Sequence, residues 1–264
     1  MIAHPQHSSR HKSAGQRSFL NEVTIQHGPA NIIGRLLLAA ETAARQREVF
    51  LSFAPLDELV EINRANRDTW RTLLPVFNPE CGLFDSSSAF CILGRDVSGE
   101  VVLTQGARFY NWENTCFHDE ATSLRLFYDD PDKWRRDGEA VEVTAPSARL
   151  IAGRVAFTGA HWCRPDFRAR GLPAITPRIA RALAVARWDV EYTCTIMAKD
   201  VFSRGVAQRA GYPNVEWGVH LKNNPVGTLL TAFLWNDRKG IIADLKEFLG
   251  HFAQHGIGAV QRHA

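Results

Sequence analysis

Apolar positions recur along the first third of the chain with two periods, one typical of helices and one typical of strands. From 31 to 47, apolar residues return every three or four positions, which predicts an amphipathic helix. The β-rich run 49–53 follows and predicts a strand. Pro55 then opens a second predicted helix, whose apolar positions continue to Leu74 before Pro75 ends it. Alternating helices and strands indicate an α/β protein.

The rest of the chain continues this alternation around one irregular stretch. Residues 112–148 are acidic, aromatic and irregular, with one predicted short helix at 119–128, and look like an insertion rather than a core element. The elements predicted around it are a hairpin turning at 96–99, a strand over 150–163, a helix carrying Ile175 and Leu183, a strand over 191–198, a helix over 201–210 closed by Gly211, strands over 215–221 and 226–235, and a last helix over 238–253.

These elements predict one α/β domain over 19–264, with a mixed, mostly antiparallel central sheet flanked by helices. An extra helix precedes the sheet and another follows it. Residues 1–18 are polar and basic, lack acidic side chains and are interpreted as a disordered tail, with a transit peptide as the alternative.

Composition narrows the classes of partner. Hydrophobic residues make up 45% of the 264 positions, enough for a core, and the net charge of +3 favours neither nucleic acid nor an anionic membrane as partner. No apolar run approaches the ~20 residues of a membrane-spanning helix. The five cysteines form no CxxC pair and no zinc-like spacing, so no metal site is predicted, and reduced thiols in the cytoplasm are the simplest account.

One segment carries recognisable chemistry: HWCRPDFRARGLP at 161–173, between the predicted long strand and the helix after it. A strand-to-helix turn that contains Gly171 can direct several backbone N–H groups inward, and the helix N-terminus adds partial positive charge. Arg168 and Arg170 add charged donors at the same point. This combination favours a pyrophosphate over a singly charged carboxylate.

At these residues the sequence resembles the GNAT superfamily of acyl-CoA-dependent N-acyltransferases. The family signature is arginine or glutamine, two residues, glycine, one residue, then glycine or alanine, and 168–173 match it at the first and fourth places. In a second family motif, a residue that is often asparagine ends the next strand, and eleven places later a helix stops at glycine plus an aromatic residue. Asp200, Gly211 and Tyr212 correspond to it.

The resemblance covers roughly 47–235, and its specific motifs lie within 161–212. It implies a GNAT-like sheet, acetyl-CoA or another acyl-CoA as cosubstrate without a metal, and direct attack of an amine acceptor on the thioester, whose carbonyl the long strand polarises through a backbone N–H. The acceptor is not identified, and the sequence is compatible with a homodimer. The cofactor-binding residues implied by the resemblance are Trp162, Cys163, Arg168, Ala169, Arg170, Gly171, Leu172, Pro173, Asp200 and Ser203.

His161 is the first candidate for the base that deprotonates the amine, because an imidazole titrates in the useful range. A hydrogen-bonded structural histidine is the alternative interpretation. A nucleophilic thiol at Cys163 or Cys194 is a second mechanism, although buried cysteines are more often simply apolar. Weaker candidates for the base or the acid are Glu191, Tyr192 and Tyr212.

Three features depart from the family pattern. Pro173 has no N–H to offer a phosphate, and Thr176 with Pro177 resembles an N-cap pair that would start the helix four residues late. Ala207 stands where many relatives have the tyrosine that protonates the departing thiolate. A non-catalytic CoA-binding or regulatory protein on the same fold is therefore an alternative, and an interaction module is a third.

The acidic insertion 112–148 is a candidate wall for the acceptor site, and its acidic character would suit a cationic amine.

Overall fold

The elements follow from a computed structural model that describes residues 18–82 and 84–255. The strands in this part of the chain are β1 Phe50–Ala54, β2 Ala89–Arg95, β3 Val101–Trp112, β4 Ala140–Val143, β5 Gly153–Cys163, β6 Tyr192–Ala198, β7 Asn214–Asn224 and β8 Gly227–Asp237. The helices are α1 Ala30–Arg45, α2 Leu56–Ala65, α3 Phe117–Thr122, α4 Pro131–Trp134, α5 Leu172–Trp188, α6 Lys199–Phe202, α7 Val206–Arg209 and α8 Arg238–His255.

The strands form one sheet in the order β1-β2-β3-β5-β6-β8-β7-β4. Neighbouring strands are antiparallel throughout, except for the parallel pair β5 and β6. A parallel pair needs a crossover connection, and the turn after β5 together with α5 supplies it. The prediction of a mixed, mostly antiparallel sheet flanked by helices is confirmed.

Each face of the sheet has its own apolar core, because successive side chains of a strand point to opposite faces. Ala156 of β5 belongs to the core that α1, α5 and α8 cover, whereas the next residue, Phe157, belongs to the core under α2 and the 112–148 segment. We call these the α5 face and the α2 face. Helix α5 is buried almost all round because it lies between the sheet, α1 and α8.

The second predicted helix ends earlier than its apolar spacing indicated. Helix α2 stops at Ala65, and the chain turns back instead of continuing to Leu74. The buried side chain of Asn63 explains the return: its Nδ2 donates to the carbonyl of Arg71 at 2.7 Å, and its Oδ1 accepts from the N–H of Leu73 at 3.1 Å. These bonds satisfy backbone groups that a continued helix would have paired internally.

Two further predictions need correction. The helix predicted over 201–210 is divided into α6 and α7, because Gly205 adopts a left-handed conformation at φ +70°. The 112–148 segment is part of the core, since Phe117 and Phe127 are fully buried. It also contributes an edge strand, β4, which pairs antiparallel with β7. Four residues of alternating burial are too short a pattern to detect reliably in sequence.

Of the predicted N-terminal tail, only Ser18 lies within the described residues, where its side chain caps the 3₁₀ turn Phe19–Glu22 and donates to Glu41. The three tail histidines fall outside them. Across 18–82 and 84–255, no helix combines the length and the apolar character required to cross a membrane.

Candidate active site

The parallel strands β5 and β6 are paired over only part of their length. Their register joins Val155 to Tyr192 and ends at Phe157 and Cys194, although β5 continues to Cys163 and β6 to Ala198. The strands therefore separate toward their C-terminal ends. We call the gap between residues 158–163 and 195–198 the wedge. Its edges carry backbone groups that do not pair across it.

A β-bulge in β5 accounts for this separation. The pairing with β3 shifts between Thr104 and Gly106, so that Ala160 and His161 together lie opposite Gln105. Ala160 has φ +50°, an uncommon left-handed conformation for a residue with a side chain. The Thr104 hydroxyl donates to the Ala160 carbonyl at 2.7 Å and holds the bulge in place. A bulge bends its strand, here in the segment where β5 no longer pairs with β6.

At the open end of the wedge, the 3₁₀ turn Pro165–Arg170 leads from β5 into α5. Gly171 has φ +78° and turns the chain directly into the helix, so α5 begins at Leu172. The predicted late start at Thr176 is therefore wrong, and Pro177 lies inside the helix. Among the described residues, no side chain caps this N-terminus. Pro173 has no N–H and the Ala174 N–H donates to the Gly171 carbonyl at 3.2 Å, so the Leu172 N–H and the positive end of the dipole remain available to an anion.

Both arginines of the turn are exposed, and each also contacts neighbouring residues. Arg168 donates from Nε to the Cys163 carbonyl at 3.0 Å and from Nη2 to the Thr69 carbonyl at 3.4 Å. The Arg170 guanidinium lies 3.8 Å from the centre of the Phe167 ring. A guanidinium has five N–H donors, so each of these side chains retains donors for a ligand.

The residues predicted to bind the cofactor lie on both sides of this open end. One group ends β5, forms the turn and starts α5: Trp162, Cys163, Arg168, Ala169, Arg170, Gly171, Leu172 and Pro173. The other group follows β6: Asp200 lies in α6, and the Ser203 hydroxyl donates to the Asp200 carbonyl at 3.1 Å. The structure brings these sets together at one end of the sheet.

His161 lies in the bulge, with Nδ1 3.4 Å from the hydroxyl of Thr176. Burial lowers the pKa of His161 to about 4, and a hydrogen bond with the backbone of Thr104 opposes this effect only in part. The imidazole is therefore neutral at physiological pH, the form that can accept a proton, and the lowered pKa also makes it a weaker base than an ordinary histidine.

Tyr212 reaches the wedge from the loop after α7. Its hydroxyl lies 2.6 Å from the hydroxyl of Thr158, the first residue of β5 beyond the part that pairs with β6. The Arg181 guanidinium lies 4.7 Å from the centre of the Tyr212 ring. Burial raises the pKa of Tyr212, so the phenol is protonated at physiological pH.

Glu191 and Tyr192 lie at the opposite end of the strands. Glu191 Oε2 accepts from the backbone N–H of Arg154 at 2.9 Å, and Tyr192 pairs with Val155. At about 3.3 Å per residue, the six residues from Val155 to His161 separate Tyr192 from the bulge by roughly 20 Å. The structure therefore does not bring this pair of candidates to the wedge.

The two thiols proposed as nucleophiles are buried. Burial raises the pKa of Cys163 to about 12 and also raises that of Cys194. Both thiols are protonated at physiological pH, which disfavours the covalent mechanism because the thiolate is the nucleophile.

No family model matches the sequence, and no curated protein matches it. Solved structures do match. The strand order and the partly separated parallel pair define a mixed, mostly antiparallel sheet.

The similar structures include a spermidine N-acetyltransferase SpeG mutant from Vibrio cholerae, with 7% identity, 74% of this chain and 96% of that chain covered, and a TM-score of 0.45. An acetyltransferase of the GNAT family from Streptococcus pneumoniae has 10% identity, covers 72% and 99%, and has a TM-score of 0.40. The aminoglycoside acetyltransferase AAC(6')-Ib with coenzyme A and kanamycin has 14% identity, covers 73% and 96%, and has a TM-score of 0.39. At these identities, and with TM-scores below 0.5, the likeness assigns neither a family nor an activity to this chain.

Ala207 is fully buried in α7, and its side chain carries no proton donor. Tyr212, five residues later, places a phenol at Thr158. The sequence named Tyr212 as a minor candidate without indicating this contact, because the contact depends on how the chain after α7 crosses β6.

Sequence patterns did not predict a segment that crosses the open end of the wedge. Residues 66–74, which we call the strap, follow α2 and contact the ends of both separated strands. The Trp70 ring stacks on Trp162 with centroids 5.5 Å apart and planes at 15°. Arg71 Nη1 lies 3.0 Å from Asp200 Oδ1. The polar run N-R-D-T at 66–69 was the available signal, since Asn, Asp and Thr favour turns.

The acidic start of the 112–148 segment lies far from the wedge. Because β3 is antiparallel to β5, Trp112 at the end of β3 pairs with Gly153 at the start of β5. His118 and Asp119 contact each other and Arg149 near that end. These side chains therefore do not form the predicted acceptor wall beside the wedge.

Proposed function

We propose that this protein is an acyl-CoA-dependent N-acyltransferase of the cytoplasm, with acetyl-CoA as the default donor and an amine as acceptor. One observation carries the proposal. The parallel strands β5 and β6 separate after three paired residues, and the wedge between them opens beside the uncapped N-terminus of α5. A long, anionic, amide-containing cosubstrate suits this combination of a phosphate site and an unpaired strand edge.

In the proposed complex, the pyrophosphate lies at the first turn of α5 with Arg168 and Arg170 beside it. Pro173 supplies no N–H there, so these arginines carry more of the anion binding. The pantetheine arm enters the wedge, where its amides pair with backbone groups of 158–163 and 195–198. Asp200 and Ser203 border the arm on the β6 side.

The amine attacks the thioester carbonyl directly, so a C–N bond forms as the C–S bond breaks. Neutral His161 accepts the proton that the amine loses, directly or through water. A backbone N–H of the bulge in β5 polarises the carbonyl. Protonated Tyr212 returns a proton to the departing thiolate, in place of the tyrosine that Ala207 replaces.

A non-catalytic CoA-binding protein is the second candidate, and Ala207 favours it, because the usual proton donor is missing. The two functions share the binding site and differ in turnover. An experiment that measures binding and turnover separately distinguishes them.

The binding test is thermal unfolding with CoA at about 100 times its Kd. Linkage predicts a stabilisation of about 2.7 kcal/mol, which corresponds to a rise in Tm of roughly 5–10 °C for a chain of this size. Arg168→Ala should abolish most of this rise. Arg35→Ala, an exposed arginine on α1, is the matched control and should retain it. Absence of any rise in the unmodified protein contradicts the proposed function.

The turnover test is release of free CoA thiol from acetyl-CoA with amines present. His161→Gln should lower the rate about 100-fold while the rise in Tm with CoA is kept, since general base catalysis contributes ~10²–10⁴-fold. Binding of CoA without thiol release by the unmodified protein supports the second candidate instead.

A further inference from the structure

A pocket of about 480 Å³ adjoins the strap. Its lining consists of four strap residues and one residue of the β7–β8 turn: Arg67, Trp70, Arg71, Thr72 and Val226. The volume lies within the range of small-molecule sites. The pocket is shallow and mostly open to solvent, so a ligand can enter without rearrangement of the core.

The pocket lies at the open end of the wedge, on the face opposite α5. Trp70 stacks on Trp162 at the end of β5, and Arg71 binds Asp200 after the end of β6. Trp70 and Val226 both pack against the core of the α2 face. A cosubstrate held at the N-terminus of α5 and a molecule in this pocket would therefore meet through the wedge from opposite faces of the sheet.

The lining contains two guanidinium groups and no carboxylate. Arg71 is paired with Asp200 at 3.0 Å. Within 18–82 and 84–255, Arg67 has neither an ion-pair partner nor a hydrogen-bond partner, and its side chain is exposed. The adjacent Asp68 is exposed as well and is not part of the lining. Arg67 is thus an exposed, unpaired cation in a lining that also contains Trp70.

We infer that this pocket binds the acceptor and that the acceptor carries a negative charge. The proposed class is an amine that also bears a carboxylate or phosphate group, with a flat apolar part against Trp70. Arg67 pairs with the anionic group, because a planar guanidinium matches both carboxylate and phosphate geometry. The inference rests on the proposed function and reverses the cationic acceptor predicted from the acidic insertion.

The kinetic test compares amines that differ only in the anionic group. Tryptophan is paired with tryptamine, and 2-aminoethyl phosphate is paired with ethanolamine, which separates carboxylate from phosphate recognition. With acetyl-CoA as donor, kcat/KM should be at least about tenfold higher for the anionic member of one pair, as expected for one hydrogen-bonded ion pair. Arg67→Met should remove this preference, because kcat/KM should fall far more for the anionic member than for the member that lacks the anionic group.

Arg64→Met is the matched control. Arg64 is also exposed, lies in α2 only three residues earlier, pairs with Glu61 and Glu80 and does not line the pocket. This variant should keep the preference. Equal or higher kcat/KM for tryptamine and ethanolamine overturns the inference while leaving acyl transfer intact, and so does an unchanged preference in Arg67→Met.

A binding measurement without acyl-CoA separates failure of this inference from failure of the proposed function. Calorimetric titration should show that indole-3-propionate binds at least about tenfold more tightly than tryptamine, and Arg67→Met should abolish the difference. This measurement remains decisive even if CoA neither binds nor reacts. Equal affinities, or tighter binding of tryptamine, overturn the anionic pocket.

Discussion

Replacement of Gly211 by alanine tests the packing between α7, α5 and α8. Gly211 ends α7 with φ +76°. An added Cβ atom would lie 2.3 Å from Asp244 Oδ1 and 2.6 Å from Arg178 Nη2. Asp244 also binds Arg181, which is fully buried, at 2.6 Å. The new methyl group would therefore displace the carboxylate that neutralises two buried guanidinium groups.

The loss of stability expected for Gly211→Ala has two contributions. A side chain in the left-handed conformation costs roughly 1–2 kcal/mol. Loss of one partner from a buried ion pair costs about 3–5 kcal/mol, because the remaining charges stay buried without compensation. Since Asp244 can shift rather than leave completely, we expect Gly211→Ala to lower the free energy of unfolding by about 3–5 kcal/mol in total.

Gly99→Ala is the control that measures only the cost of a side chain in the left-handed backbone conformation. Gly99 has φ +88° in the turn between β2 and β3, and no atom lies within 4 Å of the position of its added Cβ. Urea unfolding at pH 7, followed by circular dichroism, measures both variants. Gly211→Ala should be less stable than Gly99→Ala by at least about 2 kcal/mol. Stabilities within about 0.5 kcal/mol of each other would refute the argument that the collision with Asp244 matters.

Three further predictions concern buried polar groups. Asp244→Asn should cost about 3–5 kcal/mol in urea unfolding, whereas Glu142→Gln, which breaks a surface ion pair, should cost less than about 1 kcal/mol. The folded pKa of His161, about 4, lies below its ordinary value of 6.5, so the unfolded chain binds more protons between these pH values. His161 alone should therefore contribute a loss on the order of 2–3 kcal/mol as pH falls from 6.5 to 4. The stability of His161→Gln should fall by correspondingly less than that of the unmodified protein, and parallel pH profiles would contradict this. Tyr212→Phe should cost about 1–3 kcal/mol, because the buried hydroxyl of Thr158 loses its partner, and should slow thiol release without reducing the stabilisation by CoA.

Local sequence information predicted the parts of this protein that depend on near neighbours. Helix α1 and the hairpin of β2 and β3 follow from apolar periodicity and turn residues. Gly211 adopts the left-handed conformation that its position at a helix end indicated. The motif around Gly171 predicted a strand-to-helix turn, and the structure places that turn at the open end of the wedge.

The tertiary structure decided which candidates share a site. Strand direction places Glu191 at the far end of β5, and it brings Tyr212 across β6 to Thr158. The bonds from Asn63 turn 66–74 into the strap, although the apolar spacing there also fits a helix. Periodicity indicates which faces of a helix or strand are buried. It carries no information on register, strand direction or partners distant in sequence. Those long-range pairings determine the wedge and the pocket beside it.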